Sequence, residues 1–312
     1  MNRYCGLGMW LLPALALLAF APSAPAEGAP VMSWDDLQSL PLPAPAQRIA
    51  YGDTPEQFGE LRLPQKEQFK GPYPVVILIH GGCWLADFDY VYMTRIAAAL
   101  AQAGIASWTI EFRRIGNDGG GWPGTFLDVA HAADELRQLA QHYPLNLDKV
   151  VALGHSSGGQ LALWLAARAR LPRDSALYLP SPLKLHGVIG LAAVTDLESY
   201  RVGPQGSCNA AVDALLDGSP ATRPLRYAET SPQSLLPLGV PQWLVQGGRD
   251  HIVPPVSTRL YAEAARAKGD RVTLLEAADA GHFELVALTP ASQSWVLLQK
   301  ALQQSLGVTL AR

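Results

Sequence analysis

Charged residues are scarce in this sequence, and no run of Lys or Arg occurs. They make up 16% of the 312 residues, against roughly 25% in an average soluble domain. The formal net charge is −3. A nucleic acid or an anionic lipid surface binds to clustered positive charge, so we predict neither as a partner. Hydrophobic residues reach 49%, which is enough for the core of a large domain.

The sequence also lacks an apolar segment of the roughly 20 residues that cross a bilayer. The longest apolar stretch covers residues 7–20 and contains Pro13. Arg3 precedes it, and A-P-A follows at residues 24–26, which is the order of a cleaved secretory signal. We predict a signal peptide over residues 1–26, export to the periplasm or the outside, and no stable membrane insertion after cleavage. A single membrane anchor is the alternative.

Cysteine is rare, with three residues in the chain. Cys5 lies in the predicted signal peptide, so Cys83 and Cys208 remain after cleavage. An even pair in an oxidising compartment favours a disulfide. Two separate buried thiols are the alternative, because the Cα distance that decides between them is absent from a sequence. Neither a metal-ligand cluster nor a dinucleotide-binding glycine pattern occurs, so we predict no metal and no cofactor.

Strand and helix patterns alternate along residues 48–312, after a Pro- and Ala-rich segment at 27–47 that we predict to be an extended leader. Apolar runs predict strands at residues 48–51, 58–63, 75–79, 105–112, 149–153, 186–191, 242–246 and 272–275. Alternation with helices predicts a mostly parallel eight-stranded sheet with helices on both faces. Residues 195–238 contain five Pro and interrupt the pattern. They predict a small cap insertion; a surface loop is the alternative.

A candidate nucleophile lies at the end of the strand predicted at 149–153. Residues 154–158 read G-H-S-S-G, and a helix pattern follows, which is the context of a nucleophile elbow. The turn is so sharp that glycines are needed on both sides of the serine. We predict Ser156 as the nucleophile. A phosphate-binding turn is the alternative, but no Lys follows as a Walker motif requires.

A serine hydroxyl needs a positioned base to act as a nucleophile. In this elbow architecture the partners follow in the order Ser, then Asp or Glu, then His. Asp250 follows the strand at 242–246, and His282 follows the strand at 272–275. We predict His282 as the base and Asp250 as the acid that orients it. Asp196 is the rival acid, and a structural role is expected for His155.

The predicted attack develops negative charge on an oxygen, which needs backbone N–H donors. Ser157 follows the nucleophile and supplies one donor. Residues 80–84 read H-G-G-C-W after a buried strand, so we predict Gly82 and Cys83 as the others. Trp84 and Trp122 also follow predicted strands, and we predict that they bind substrate; packing between the loops and the cap is the alternative.

Four motifs together resemble the esterase and lipase branch of the α/β-hydrolase superfamily. They are residues 80–84, residues 154–159, Asp250 with V-P at 253–254, and G-H at 281–282. The H-G-G-x-W form is similar to kynurenine formamidase-like and carboxylesterase-like members. Cys83 stands where hormone-sensitive-lipase relatives have a third glycine. The resemblance runs from about residue 48 to residue 306 and implies the α/β-hydrolase fold and the same three catalytic residues.

These observations predict a serine hydrolase that cleaves a small carboxylic ester through an acyl-enzyme, as a carboxylesterase does. An amidase or peptidase of the formamidase or prolyl-oligopeptidase type is the alternative, because the same triad serves both. The two reactions differ in how the leaving nitrogen is protonated. An inactive binding protein is the third reading. The predicted partner is a small-molecule ester or amide.

Overall fold

The computed structural model describes residue 1 and residues 30–203, 207–288 and 292–308. The signal peptide predicted over residues 1–26 lies outside these ranges except for Met1 and stays a prediction. Residues Val31–Arg312 form one compact unit. In the described part of the chain, no helix combines the length and the hydropathy needed to cross a bilayer.

Eight strands of the described residues form one sheet. They are β1 (Gln47–Ala50), β2 (Phe58–Arg62), β3 (Tyr73–Ile79), β4 (Ala106–Ile110), β5 (Leu145–His155), β6 (Gly187–Leu191), β7 (Gln242–Gly247) and β8 (Val272–Ala277). Their order is β1-β2-β4-β3-β5-β6-β7-β8. β1 and β2 pair with antiparallel neighbours, and the pairs from β4 to β8 are parallel. The eight-stranded, mostly parallel sheet predicted from the sequence is therefore confirmed.

Helices cover both faces of the sheet, and three of them lie in the segment between β6 and β7. They are α1 (Trp34–Ser39), α2 (Thr94–Gln102), α3 (Gly124–Asp134), α4 (Leu136–His142), α5 (Ser157–Ala167), α6 (Leu197–Tyr200), α7 (Asn209–Leu215), α8 (Pro224–Thr230), α9 (Pro255–Ala267) and α10 (Gln293–Leu306). Along β3, Val75 and Ile77 point into a core shared with α3, α5 and α9. Val76 and Leu78 point into a second core, shared with α1, α2 and α10. Strands buried on both faces explain the unbroken apolar runs of the sequence.

The expectation of an extended leader over residues 27–47 is wrong where α1 forms. Ser33 and Asp36 make a capping box: the Asp36 N–H donates to Ser33 Oγ at 3.1 Å, and the Ser33 N–H donates to Asp36 Oδ2 at 2.9 Å. Leu37 is fully buried in the core that α2 and α10 share. The composition of residues 27–47 favours an extended chain, but the local capping box is sufficient to begin a short helix within it.

The predicted cap is present between β6 and β7, where α6, α7 and α8 lie. Cys208 directly precedes α7 and forms a disulfide with Cys83, with the two Cα atoms 5.0 Å apart. The sequence did not decide between a disulfide and two separate thiols. The structure shows the disulfide, which joins the cap to the loop after β3.

Loss of this disulfide is expected to destabilise the protein strongly. The bridge joins two residues that are 125 positions apart, and disulfides across long loops restrict the unfolded chain most. We expect Cys208→Ala to lower the free energy of unfolding by about 2–5 kcal/mol, measured by urea denaturation without reductant. Wild-type protein in reductant serves as the control and should reach a similar midpoint. Equal midpoints for the oxidised wild type and the variant would contradict the prediction.

Candidate active site

Ser156 lies in the sharp turn between β5 and α5. Its backbone has φ 56° and ψ −122°, a conformation that side chains rarely adopt and that marks functional turns. A Cβ on Gly154 would lie 2.0 Å from the carbonyl oxygen of Gly158, and one on Gly158 would lie 2.2 Å from that of His80. Only glycine fits at either position, so the elbow geometry expected from the sequence is present.

His282 and Asp250 meet in a buried hydrogen bond. Nδ1 of His282 lies 2.7 Å from Asp250 Oδ2, and both side chains are buried. Since a carboxylate only accepts hydrogen bonds, Nδ1 is the donor, and Nε2 of the neutral ring keeps its lone pair. The other carboxylate oxygen accepts the N–H groups of Ile252 at 2.8 Å and Val253 at 2.9 Å. Asp250 is thereby fixed in the orientation that selects this tautomer.

Ser156 and His282 border one cavity of about 250 Å³. The loop after β3 borders it as well, through Gly82 and Cys83. Its other lining residues are Trp34, Phe88, Tyr92, His155, Ser207, Cys208, Ile252 and Phe283. Among the described residues, no acceptor is assigned to the backbone N–H groups of Gly82, Cys83 and Ser157. A hydroxyl, a basic imidazole nitrogen and unpaired N–H donors are the parts that acyl transfer requires.

A buried chain of hydrogen bonds connects the loop after β3 to the loop of His282. The Gly81 N–H donates to the Tyr92 hydroxyl at 2.6 Å, and that hydroxyl lies 2.9 Å from His155 Nδ1. His155 Nε2 lies 3.2 Å from the carbonyl oxygen of His282. A carbonyl only accepts, so Nε2 carries the proton of His155 and Nδ1 accepts from Tyr92.

The environment keeps His155 neutral. Burial lowers the pKa of His155 well below its usual value, and the positive charge of a protonated His282 lowers it further. The structural role expected for His155 is confirmed, since its ring spans the two loops. Tyr92 escaped the sequence analysis, because an apolar helix pattern gives no indication of a buried hydroxyl partner.

His80 fixes the loop after β3 through two buried contacts. Its Nδ1 lies 2.7 Å from the Gly81 carbonyl oxygen, and its Nε2 lies 3.0 Å from Glu111. Arg114 is 3.3 Å from the same carboxylate oxygen. Burial acts to raise the pKa of Glu111, but the charge and hydrogen bond of His80, together with Arg114, outweigh it and hold that pKa below its usual value. The two hydrogen bonds of His80 anchor the loop within the protein interior.

The structure contradicts the substrate-binding role predicted for Trp84. Its side chain is 1% exposed, and its Nε1 donates to Gln160 Oε1 at 3.0 Å. Trp84 therefore pins the loop after β3 to α5 instead of facing the cavity. A position after a strand predicts where the backbone lies, but the direction of the ring depends on packing against α5.

Trp122 is also placed away from Ser156. It lines a separate pocket formed with the cap, where the Arg226 guanidinium lies 3.9 Å from the centroid of its ring. This is the geometry of a cation–π contact. The expectation that Trp122 binds substrate beside the nucleophile is therefore wrong, and the alternative of packing between a loop and the cap describes it.

Within the described residues, the rival acid has no hydrogen bond or ion pair with His282. Asp196 caps α6, accepting the Glu198 N–H at 3.1 Å, and it lines a different pocket. In the described ranges, no group of three or more His, Cys, Asp or Glu side chains is placed to hold a metal ion. Sequence reasoning missed Trp34 and Phe283, which border the cavity.

The sheet order, the elbow at Ser156 and the histidine–aspartate pair define an α/β-hydrolase. The BD-FAE family profile matches residues 60–264. The chain belongs to the BD-FAE family, and the predicted resemblance to the esterase and lipase branch is confirmed.

One curated relative is Esterase LipC of Mycobacterium tuberculosis (strain ATCC 25618 / H37Rv), 27% identical over 250 residues. The match covers 77% of this chain and 60% of LipC, so the chain spans about three-fifths of that relative's length. A truncated carbohydrate esterase from gut microbiota shares 20% identity at a TM-score of 0.71, covering 86% of this chain and 98% of its own. A thermophilic esterase from Thermogutta terrifontis shares 19% at 0.66, covering 84% and 92%. At such identities the solved structures show the shared fold.

Proposed function

We propose that this protein is a serine hydrolase that cleaves small carboxylic esters. Ser156 is the nucleophile, His282 the general base and Asp250 the acid that orients the base. The observation that carries the proposal is one cavity bordered by Ser156 and His282, with Nδ1 of that histidine 2.7 Å from Asp250. The similarity to Esterase LipC supports ester substrates.

The reaction proceeds in two halves. Ser156 Oγ attacks the ester carbonyl carbon while its proton passes to His282 Nε2. The resulting oxyanion accepts hydrogen bonds from the N–H groups of Gly82, Cys83 and Ser157. The C–O bond to the alcohol then breaks, and the leaving oxygen takes the proton from His282. A water molecule, deprotonated by His282, attacks the acyl-Ser156 ester, which releases the carboxylic acid and returns the proton to Ser156.

We also propose that the protein acts after export. The disulfide between Cys83 and Cys208 supports this, because such bonds persist in oxidising compartments. It also ties Cys83, a residue of the proposed oxyanion hole, to the cap.

Labelling with a fluorophosphonate tests the nucleophile directly. We expect one covalent adduct, located on Ser156 by mass spectrometry of the digested protein. Hydrolysis of p-nitrophenyl acetate and p-nitroacetanilide then compares an ester with an amide of the same acyl and aryl groups. We expect the ester to be cleaved far faster. Absence of both adduct and hydrolysis would reject the serine hydrolase, and faster cleavage of the anilide would replace the esterase with an amidase.

A further inference from the structure

An aromatic side chain from α1 closes one side of the cavity at Ser156. Trp34 borders that cavity, and its ring packs edge-on against Phe88 at 5.2 Å and Tyr92 at 5.6 Å between ring centroids. The ring centroid of Phe283 lies 5.7 Å from that of Trp34. The four rings form a continuous apolar wall, and one of them belongs to a segment that precedes the first strand of the sheet.

The segment that carries Trp34 is fastened to the loop of His282. One carboxylate oxygen of Glu284 accepts the Met32 N–H at 2.6 Å, and the other accepts the Gly281 N–H at 3.0 Å. Gly281 directly precedes His282, so a single side chain connects the entry of α1 to the loop of the proposed base. Leu37, fully buried, holds the other end of α1 in the core. Because α1 is held on both sides of Trp34, the position of the indole is fixed.

We propose that Trp34 is a specificity-determining residue that limits the size of the apolar group accepted beside Ser156, and that Glu284 positions it. The inference rests on the proposed ester hydrolysis. The cavity holds about 250 Å³, so a small acyl or alcohol group fits, whereas a long chain meets the indole. Loss of the indole opens this wall while Leu37 keeps α1 docked. When a pocket fits its substrate tightly, one methylene more or less on the substrate changes kcat/KM by about 10- to 200-fold.

Trp34→Ala, Trp34→Phe and Glu284→Gln test the inference, with Gln38→Ala as the control on the exposed side of α1. Each variant is assayed for kcat/KM on p-nitrophenyl acetate, butyrate and octanoate, which vary the acyl group. Ethyl and 1-naphthyl acetate vary the alcohol. We expect Trp34→Ala to raise one of two ratios about tenfold or more. The first is kcat/KM for p-nitrophenyl octanoate over that for p-nitrophenyl acetate, and the second is kcat/KM for 1-naphthyl acetate over that for ethyl acetate. Glu284→Gln should shift the same ratio in the same direction by a smaller factor.

The outcomes separate this inference from the proposed function. If wild type and Gln38→Ala hydrolyse esters and label at Ser156, but both ratios of Trp34→Ala equal those of Gln38→Ala, Trp34 does not set specificity. If wild-type protein neither labels nor hydrolyses, the proposed function itself fails. Trp34→Phe keeps the test valid should the alanine variant unfold, because it retains an aromatic ring of smaller size and predicts an intermediate ratio.

Discussion

Ser156→Ala is expected to lower kcat for p-nitrophenyl acetate by about 10⁵- to 10⁶-fold. The variant has no hydroxyl to form the acyl-enzyme, and the histidine and N–H donors that remain act only on water. Steady-state kinetics measures the loss, and the fluorophosphonate adduct should disappear with it. The backbone turn of residue 156 is retained, so the folded structure and its urea midpoint should change little.

Ser305→Ala is the matched control for this variant. Ser305 is buried in α10, and its hydroxyl donates to the Leu302 carbonyl at 3.2 Å. It does not border the cavity at Ser156, so kcat should stay near that of the wild type. A Ser156→Ala protein that kept more than about one hundredth of the wild-type kcat would show that another group attacks the ester.

Asp250→Asn is expected to lower kcat by about 10⁴-fold. The variant keeps the size of the side chain, and its amide oxygen can still accept the N–H groups of Ile252 and Val253. Its NH₂ group then faces His282 Nδ1, where the wild type has an acceptor at 2.7 Å. An NH₂ group only donates, so the neutral ring must place its proton on Nε2. A protonated Nε2 has no lone pair with which to accept the proton of Ser156.

Asp196→Asn separates the two candidate acids. Asp196 sits at the N-terminus of α6 and has no contact with His282 among the described interactions. Its replacement should therefore leave kcat within a few-fold of the wild type, whereas Asp250→Asn loses nearly all activity. A larger loss of kcat in Asp196→Asn than in Asp250→Asn would make Asp196 the acid and overturn the proposed triad.

Much of the fold follows from patterns that are local in the sequence. The apolar run at residues 75–79 predicts a strand buried on both faces, and the structure places it in β3 at the centre of the sheet. Gly154 and Gly158 flank Ser156 because no larger residue fits there. The order of Asp250 and His282 and the strands that precede them predict their place beside Ser156, since parallel strands present their carboxyl ends at one edge.

Side-chain direction followed from none of these patterns. The loop that carries Trp84 lies where the sequence predicted, yet the ring turns inward to Gln160. Conversely, Trp34 stands in a segment expected to be an extended leader and reaches the cavity at Ser156. Both ring directions depend on contacts with residues far away in the chain. The local sequence around either tryptophan does not predict those contacts.

The sequence by itself determined the sheet, the elbow and the identity of the three side chains proposed for catalysis. Periodicity and glycine spacing are local patterns, and the order of Ser156, Asp250 and His282 follows from the sequence without any distance between them. Only the tertiary structure decided that Cys83 and Cys208 are bridged, that His155 links two loops through Tyr92, and that α1 completes the cavity. Those features require distances between segments that are up to 252 positions apart, as Met32 and Glu284 are. Such distances are set by how the whole chain packs around its two cores.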